Sequence, residues 1–512
     1  MKKTIFIALL TGLSLSWSAC TDDNSSMGNE VVGIVVEGLA EDLNVASYQG
    51  VNLKDLIHPT VMTTIPEEQL SYAWYLYSNE NSEGRYKNYL IASGKEPDYE
   101  VNLPSGTYTL VFEVTNTETG YAKIVESTIR TSTSFSRGFY ILKETNEGNT
   151  DLDMLNDDGL LEDLITNISG SPLQGKPYNL TMMYGGAYID EETNEMSSTN
   201  LIYAISDEGK IKGYRTEDML EVFNNDNMFY SGTMPASEQP GTFVTGPTGN
   251  FYFSNTGVRY YETMFNSSTG KYGYPVGAGA SKYVQVVNAM AGYIYWSDDE
   301  HGLKIVDYNC MGSNPLEPAE DVTFPNDLEC ISSSLSVTAG TMAWFLCEQP
   351  STGDRYLLKT TSSQYVDEAT KIAPDSHLGR STIQGGNGHS ASYIYCVDNG
   401  KVYAYSLTED LEIEVPLPSI PSGETITFIT NQWLQFSSFY PTEYNFDNLV
   451  VGTQTGDTYK LYFYDGLNGG IPVNAPYKTA TGTGKVKCIR FASPVIVDMN
   501  IAYETNPFPM AD

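Results

Sequence analysis

An all-β chain is predicted, with an N-terminal immunoglobulin-like β-sandwich followed by a seven-bladed β-propeller closed by the C-terminal strand. Three observations carry this. Apolar and polar residues alternate with a period of two between residues 31 and 135, a strand-turn-strand unit recurs seven times from Phe139 to Leu449, and a last strand pattern at 485–492 has no hairpin after it. A chain of 512 residues also exceeds the size at which one hydrophobic core keeps growing, so more than one domain is expected.

The first element, residues 1–19, has Lys2 and Lys3, an apolar run from Ile5 to Leu15, the small residues Ser18 and Ala19, and then Cys20. This layout resembles a bacterial lipoprotein signal peptide, with Cys20 as the lipidated first residue of the mature chain. Trp17 stands where that signal usually has Leu, Ile or Val. The apolar run is too short to span a bilayer. Residues 20–30 form a polar, acidic tether whose Thr21, Asp22 and Asp23 look like the export tag of some Bacteroidota surface lipoproteins. An outer-membrane, lipid-anchored and surface-exposed location is therefore expected.

Charge narrows the partners. The chain carries 28 Lys and Arg against 64 Asp and Glu; without Lys2 and Lys3, 26 against 64 leaves about −38. Nucleic acid is excluded as a partner by such a surface, and membrane contact is expected through the lipid alone. After Cys20 the cysteines are Cys310, Cys330, Cys347, Cys396 and Cys488, with no CxxC pair and no His at ligand spacing, so no structural zinc is expected. Apolar neighbours make them buried thiols, with a disulfide between Cys330 and Cys347 left open.

Residues 31–135 supply the sandwich. LSYAWYLYS (70–78) sets Trp74 and Leu76 on one face, and the run from Gly106 to Thr131 turns Tyr108, Leu110, Phe112 and Val114 inward. About seven such strands in about 100 residues fit an immunoglobulin-like sandwich, with Trp74 as core anchor and Tyr108 placed like a tyrosine corner. No cysteine lies between 21 and 309, so no disulfide supports it.

Residues 136–512 supply the propeller. The hairpin unit begins at Phe139, Leu201, Phe251, Tyr293, Met342, Tyr393 and Leu449, at intervals of 62, 50, 42, 49, 51 and 56 residues. Such periods belong to propeller blades. Turns such as Asp207-Glu208-Gly209 and Asp398-Asn399-Gly400 put glycine where a hairpin needs positive φ; they also produce a near match to the sialidase Asp-box, which Val402 and Tyr403 leave incomplete. An inner strand precedes the later hairpins (283–289, 327–333, 425–431), while the first hairpin, 137–144, has none before it. The strand KVKCIRFA (485–492) is expected to fill that place and tie the ends of the repeat together.

The order of lipoprotein signal, immunoglobulin-like domain, RGFYILKETNEGNTDLDML, LQGKPYNL and propeller repeats resembles the PKD-like family lipoproteins of Bacteroidota, and Gly138 to Leu155 is the most specific stretch. The chain lacks the Trp-Asp-Phe-Gly-Asp-Gly signature of true PKD domains and keeps only the Trp. The resemblance implies surface anchoring, in some cases beside outer-membrane nutrient importers, and it transfers no catalytic residues.

No HExxH, GxSxG, P-loop or GxGxxG occurs, and the only histidines are His58, His301, His377 and His389. The densest polar cluster, Ser297 to Gly302 beside Trp296, reads first as a solvated hairpin turn and second as a carboxylate and histidine site. The loop 149–159 has the acidic content of a calcium loop, with Leu155 breaking the ligand spacing; calcium is the single cofactor considered and none is expected. Aromatic faces stack on sugar rings, so the candidate ligand-binding residues are Tyr272, Tyr274, Trp296, His301, Trp344 and Trp433, with the Gly- and Tyr-rich loop 270–283 as the best exposed segment. Tyr260 and Tyr261 join that list, and for all these aromatics packing between blades is the commoner role.

Non-catalytic capture of an extracellular glycan or peptide for nutrient uptake is the function expected. The alternative is a propeller glycosidase or polysaccharide lyase using Asp, Glu or His from several blades. A third reading, a scaffold docking a membrane partner, requires an exposed apolar patch.

Overall fold

The computed structural model describes residues 33–493, apart from 48–49, 79–85, 104–105, 191–193, 264–267, 289, 338–340, 363, 387–388, 390 and 435–444. The signal segment, Cys20 and the tether lie outside the described residues. Among the described residues no helix is long and apolar enough to cross a membrane. The chain is all-β and divides into two compact units, residues 33–102 with 107–130, and residues 103–106 with 131–493.

The first unit holds a five-stranded sheet in the order Asp42–Ala46, Ala122–Ser132, Gly106–Asn116, Leu70–Ser78, Leu90–Ser93, and a two-stranded sheet of Val35–Glu37 and Thr60–Met62. Trp74 is fully buried, stacks on Phe112 at 4.1 Å between centroids and donates its Nε1 hydrogen to the Gly94 carbonyl at 3.0 Å. The anchor combines a large apolar ring with a satisfied polar end. Strict alternation does not hold along 106–116, because Val111 and Glu113 are buried together with Leu110, Phe112 and Val114. The middle of this strand is covered on both faces. Glu113 tolerates this because it accepts from Tyr86 Oη at 2.9 Å and Lys87 Nζ at 3.2 Å. Tyr108 is half-buried at the start of the same strand.

The second unit is propeller-like, built among the described residues from seven antiparallel sheets of three or four strands, with two short two-stranded sheets beside them, Glu317–Pro318 with Tyr365–Val366 and Leu467–Asn468 with Ile471–Pro472. In chain order the seven hairpins are 138–144 with 150–155, 196–206 with 211–215, 249–254 with 257–262, 293–297 with 302–306, 342–348 with 355–360, 393–398 with 401–406, and 446–455 with 458–464. Each contains a predicted unit. The strands preceding hairpins two to seven are 177–189, 240–245, 284–285, 329–336, 383–385 and 425–434. The first hairpin receives instead Lys485–Ala492, paired antiparallel with Gly138–Glu144. That strand comes from the far end of the chain, and it covers an edge that would otherwise carry unpaired backbone groups.

Successive sheets are joined by side-chain hydrogen bonds. Tyr184 Oη donates to Phe491 O at 3.3 Å, Asn179 Nδ2 to Gly241 O at 3.0 Å, Tyr293 Oη to Thr245 O at 3.2 Å and Tyr283 Oη to Ile331 O at 2.9 Å. Lys359 Nζ donates to Leu407 O at 2.7 Å, Tyr395 Oη to Gly470 O at 2.7 Å, and Tyr459 Oη to Asp153 Oδ2 at 2.6 Å, which brings the seventh sheet back to the first. This accounts for the use of tyrosine: the ring packs between sheets and the hydroxyl reaches a neighbour's carbonyl. Tyr203 on Phe243 (4.0 Å) and Phe251 on Tyr293 (4.7 Å) show the same packing.

The third sheet departs from the pattern, with three strands where the others have four. Its outer edge meets the loop 270–283 through a Val258 and Val276 bridge (N to O, 2.9 and 2.7 Å). A segment as rich in Gly as GKYGYPVGAGASKY offers too few side chains to hold a full strand. All five cysteines of the described residues are free and buried, with Cys330 directly opposite Cys347 across two strands.

Candidate functional site

The sequence-predicted ligand residues do not come together. Trp296 and Trp344 are fully buried, Trp433 is 4% exposed and Tyr272 is 1% exposed. No sugar ring can reach a face already covered by protein, so these four rings are packing residues. Tyr272 sits among Tyr203, Phe243, Tyr252 and Tyr261 in the aromatic core of the second and third sheets. Tyr260 is half-buried, its hydroxyl tied to Thr248, and Tyr261 is buried. Only Tyr274 presents its ring, at 93% exposure. The loop around it is pinned, Tyr272 N donating to Met228 O and Arg259 to Gly273 O.

His301 is exposed at a hairpin turn with φ of 49°, its Nδ1 3.1 Å from the Leu328 carbonyl. Of its acidic neighbours, Glu300 pairs with Lys304 at 2.8 Å. Asp298 is held above the usual carboxylate range by burial and by the charges of Asp299 and Glu329. Among the described residues no group of three or more His, Cys, Asp or Glu could hold a metal ion.

The acidic loop 149–159 is spent internally. Asp151 Oδ1 accepts from the Ile165 and Leu152 amides at 2.9 and 2.8 Å, and Oδ2 from Thr166 Oγ1 at 2.5 Å, capping the helix Leu164–Ser169 (α1). Asn156 Oδ1 accepts from the amides of Asp158 and Gly159. Asp153 is fully buried and lies 2.6 Å from Lys143 Nζ, itself 1% exposed. The alternation that makes Thr150–Leu155 a strand puts Asp151 and Asp153 on one face, where they meet α1 and the lysine.

These contacts build the floor of a polar cavity of about 320 Å³ at the hairpin end of the first sheet. Thr145, Asn146 and Glu147 of the hairpin turn, Asp163 and Thr166 of the α1 segment, and Thr483 with Gly484 before the closing strand line it, with Lys143 beneath. Gly484 has φ of 99°, and a Cβ there would lie 2.4 Å from the Glu144 carbonyl. Glycine is required where the closing strand enters.

Burial opposes the charge on Lys143, but Asp153 and Asp163 (2.8 Å) outweigh it and hold the ammonium above its ordinary pKa. Burial also dominates at Asp153, pushing its carboxyl up to about 6 although Lys143, Tyr459 Oη and the Asp163 amide all favour the ionised form. At neutral pH the cavity floor is therefore an ion pair. Its exposed rim is supplied by hydroxyl, amide and carboxylate groups that can donate to and accept from a polar ligand.

A second constellation also escaped the sequence. His377 Nδ1 lies 2.8 Å from Asp398 Oδ2, Arg380 donates to the same oxygen at 2.7 Å, and the imidazole stacks on Tyr403 at 3.4 Å. His377 and Arg380 belong to the short helix His377–Arg380 (α2), whose first amides, those of His377 and Leu378, donate to Glu412. The guanidinium and the imidazole hold the Asp398 carboxyl below its usual range. The signal available in the sequence was Asp398 at a hairpin turn, but its partners lie 18 and 21 residues away.

Residues 20–177 match the model of the PKD-like family, a stretch that covers the N-terminal unit and the first hairpin with α1. No curated protein matches the chain. Among solved structures, a quinonprotein alcohol dehydrogenase-like protein of Bacteroides thetaiotaomicron is similar at 13% identity, over 88% of this chain and 96% of that one, with a TM-score of 0.40. The β-propeller domain of Cps50 (Swd1) from Myceliophteria thermophila is similar at 8% identity, over 60% and 91%, with a TM-score of 0.34. Apo AztD from Citrobacter koseri is similar at 11% identity, over 69% and 99%, with a TM-score of 0.35. Likenesses this distant carry no argument about function.

Proposed function

We propose that this chain is a lipid-anchored surface protein in which an immunoglobulin-like sandwich carries a seven-bladed propeller, and that the propeller binds an extracellular glycan without transforming it. The seven sheets are taken as blades of one ring, because side-chain bonds link each to the next and the seventh back to the first. The cavity at the hairpin end of the first sheet is the proposed binding site. The observation that carries the reading is its lining: threonine hydroxyls, an asparagine amide and the Glu147 and Asp163 carboxylates, with no aliphatic or aromatic wall beyond Pro172. Such a surface matches a polyhydroxylated ligand, and about 320 Å³ lies at the lower end of the usual range for small-molecule sites.

Two observations favour binding over hydrolysis or elimination. Asp153, the acid raised to about 6, is fully buried between Lys143 and Tyr459 and cannot touch a ligand. The strands that begin the seven sheets carry Glu329 as their only carboxylate, exposed near a strand end, and otherwise bury amides, hydroxyls and Arg490. Lipidation at Cys20, display on the outer membrane and delivery to an importer complete the proposal.

The test is a thermal-shift panel of host and dietary glycans, with peptides alongside, against the wild type and Asn146→Ala/Glu147→Gln. A stabilising glycan recovered unchanged, whose effect the double variant abolishes, is expected. Recovery of a shorter product, or stabilisation by peptides alone, overturns the reading.

A further inference from the structure

The fifth sheet brings two cysteines face to face. Cys330 lies on the strand Glu329–Ser336 and Cys347 on the strand Met342–Glu348, and the two are direct partners across that antiparallel pair. Both side chains enter one apolar cluster between the fourth and fifth sheets, with Trp296, Leu328 and Phe345. Cys347 is fully buried and Cys330 is 8% exposed. The other three cysteines of the described residues face different partners: Cys396 stands opposite Gln384 and Tyr403, Cys488 opposite Leu142, and Cys310 Sγ donates to the Val258 carbonyl at 3.7 Å.

Residues directly opposite in an antiparallel pair have Cα atoms about 4.5 or 5.5 Å apart, and a disulfide spans Cα separations of about 4.4–6.8 Å. The strands themselves therefore hold the two cysteines within bonding reach. A register shift lies between Cys330 and Ser332, and it leaves Cys330 opposite Cys347 and Glu329 opposite Glu348. The structure holds both cysteines as thiols, Cys330 Sγ donating to the Ser332 carbonyl at 3.5 Å. Burial, and after it the adjoining Cys347 thiol, pushes the Cys330 thiol far above its ordinary value, so the two groups are also electrostatic neighbours.

We propose that Cys330 and Cys347 form a modification site, closed to a cross-strand disulfide that braces the fifth sheet when the chain folds in an oxidising compartment. The oxidant is itself a disulfide, carried by a thiol-exchange protein or by a small thiol such as glutathione. One cysteine thiolate attacks it, forms a mixed disulfide and releases the first thiol; the second thiolate attacks that mixed disulfide, forms the Cys330–Cys347 bond and releases the other. The chain gives up two protons and two electrons, and the oxidant takes them up as two thiols. Covered, protonated thiols exchange slowly, so the bond forms before the fourth sheet packs against the hairpin, and the same burial then shields it. Closing the loop 330–347 limits the freedom of the unfolded chain, which stabilises the fold. The pair shares no residue with the polar cavity, so it stands or falls separately from glycan binding.

The test uses the chain from Asn24 onward, made once in a reducing cytosol and once behind a cleavable secretion signal, each alkylated in denaturant and analysed by mass spectrometry. Five alkylated thiols are expected in the cytosolic chain, and three in the secreted chain, with a peptide pair joining Cys330 to Cys347 that a reductant separates. The secreted chain should also unfold at a higher urea concentration, and reductant in the urea series should abolish the difference. Cys347→Ala should leave four alkylated thiols in both preparations; because loss of a buried thiol can disturb folding by itself, the thiol count and peptide pair of the wild type decide. Five alkylated thiols in the secreted wild type, a bond between any other two cysteines, or thiol adducts in place of a bond overturn the proposal, and so does a Cys330–Cys347 bond that leaves the urea midpoint unchanged or lower.

Discussion

Replacing Lys143 by methionine isolates the ion pair beneath the polar cavity. Lys143 is 1% exposed and faces Asp153 at 2.6 Å and Asp163 at 2.8 Å, with Asp153 fully buried. Methionine preserves the length and apolar stem but leaves the Asp153 carboxylate with only the Tyr459 hydroxyl and the Asp163 amide. Removing one partner of a buried pair costs about 3–5 kcal/mol, because the remaining charge stays desolvated. In a unit of this size that corresponds to roughly 5 °C in Tm.

The pH dependence supplies the control. Asp153 in the wild type has its carboxyl raised to about 6, above its value in the unfolded chain, so between about pH 4 and 6 the folded state holds more protons. The stability from that proton is complete below about pH 4 and is lost as pH rises through 6. Without the ammonium the carboxyl shifts further up, so the loss continues beyond pH 6 and the penalty of Lys143→Met is larger at pH 8 than at pH 5. Urea unfolding of both proteins at the two pH values measures this, following the transition of the sheet-rich unit. A penalty below about 1 kcal/mol at pH 8, or one equal at both pH values, would refute the account of the pair.

Other outcomes follow from the same geometry. Gly484→Ala forces a Cβ to within 2.4 Å of the Glu144 carbonyl at a φ of 99°, so it should destabilise by about 2 kcal/mol or more and weaken any ligand of the adjoining cavity, as read by melting and titration. Trp74, Trp296, Trp344 and Trp433 are all buried, so a chain starting at Asn24 should show blue-shifted emission that iodide does not quench; strong quenching would mean that a tryptophan face is open after all. In the reduced chain the five buried thiols should resist an aromatic disulfide reagent in the native state and react only on unfolding. Burial holds Cys310 and Cys396 up at about 12, so thiolate is scarce as well as inaccessible.

How legible the fold was can be judged from particular elements. The seven hairpins were visible because each is local: an apolar or aromatic strand, a Gly, Asn or Asp turn, and a second strand within about 15 residues, a pattern that period and turn chemistry reveal without tertiary information. Pairing of 485–492 with 138–144 was legible for a different reason, since one strand had no hairpin to precede and one hairpin had no strand before it. Trp74 was recognisable as an anchor, yet the cover over both faces of Gly106–Asn116 depends on residues far away in sequence. In the loop 270–283 Tyr274 is exposed and Tyr272 buried, a division that glycine and tyrosine content could not give because it does not say where a backbone is pinned.

The sites were far less legible. Tyr272, Trp296, Trp344 and Trp433 have the residue types of a sugar platform, but an aromatic ring packs between sheets with the same local sequence as it shows to solvent, and neighbours from other strands and sheets decide which. The acidic content of the loop 149–159 did not show what its carboxylates meet, which is α1 at Asp151 and Lys143 at Asp153. The sequence by itself determined what is short-range: the all-β character, the number and position of the hairpins, the acidic balance and the unpaired last strand. The tertiary structure alone decided which polar groups are spent on the protein and which face a cavity, because burial and pairing are set by distant elements such as 143 with 153 and 163, and 459 with 153.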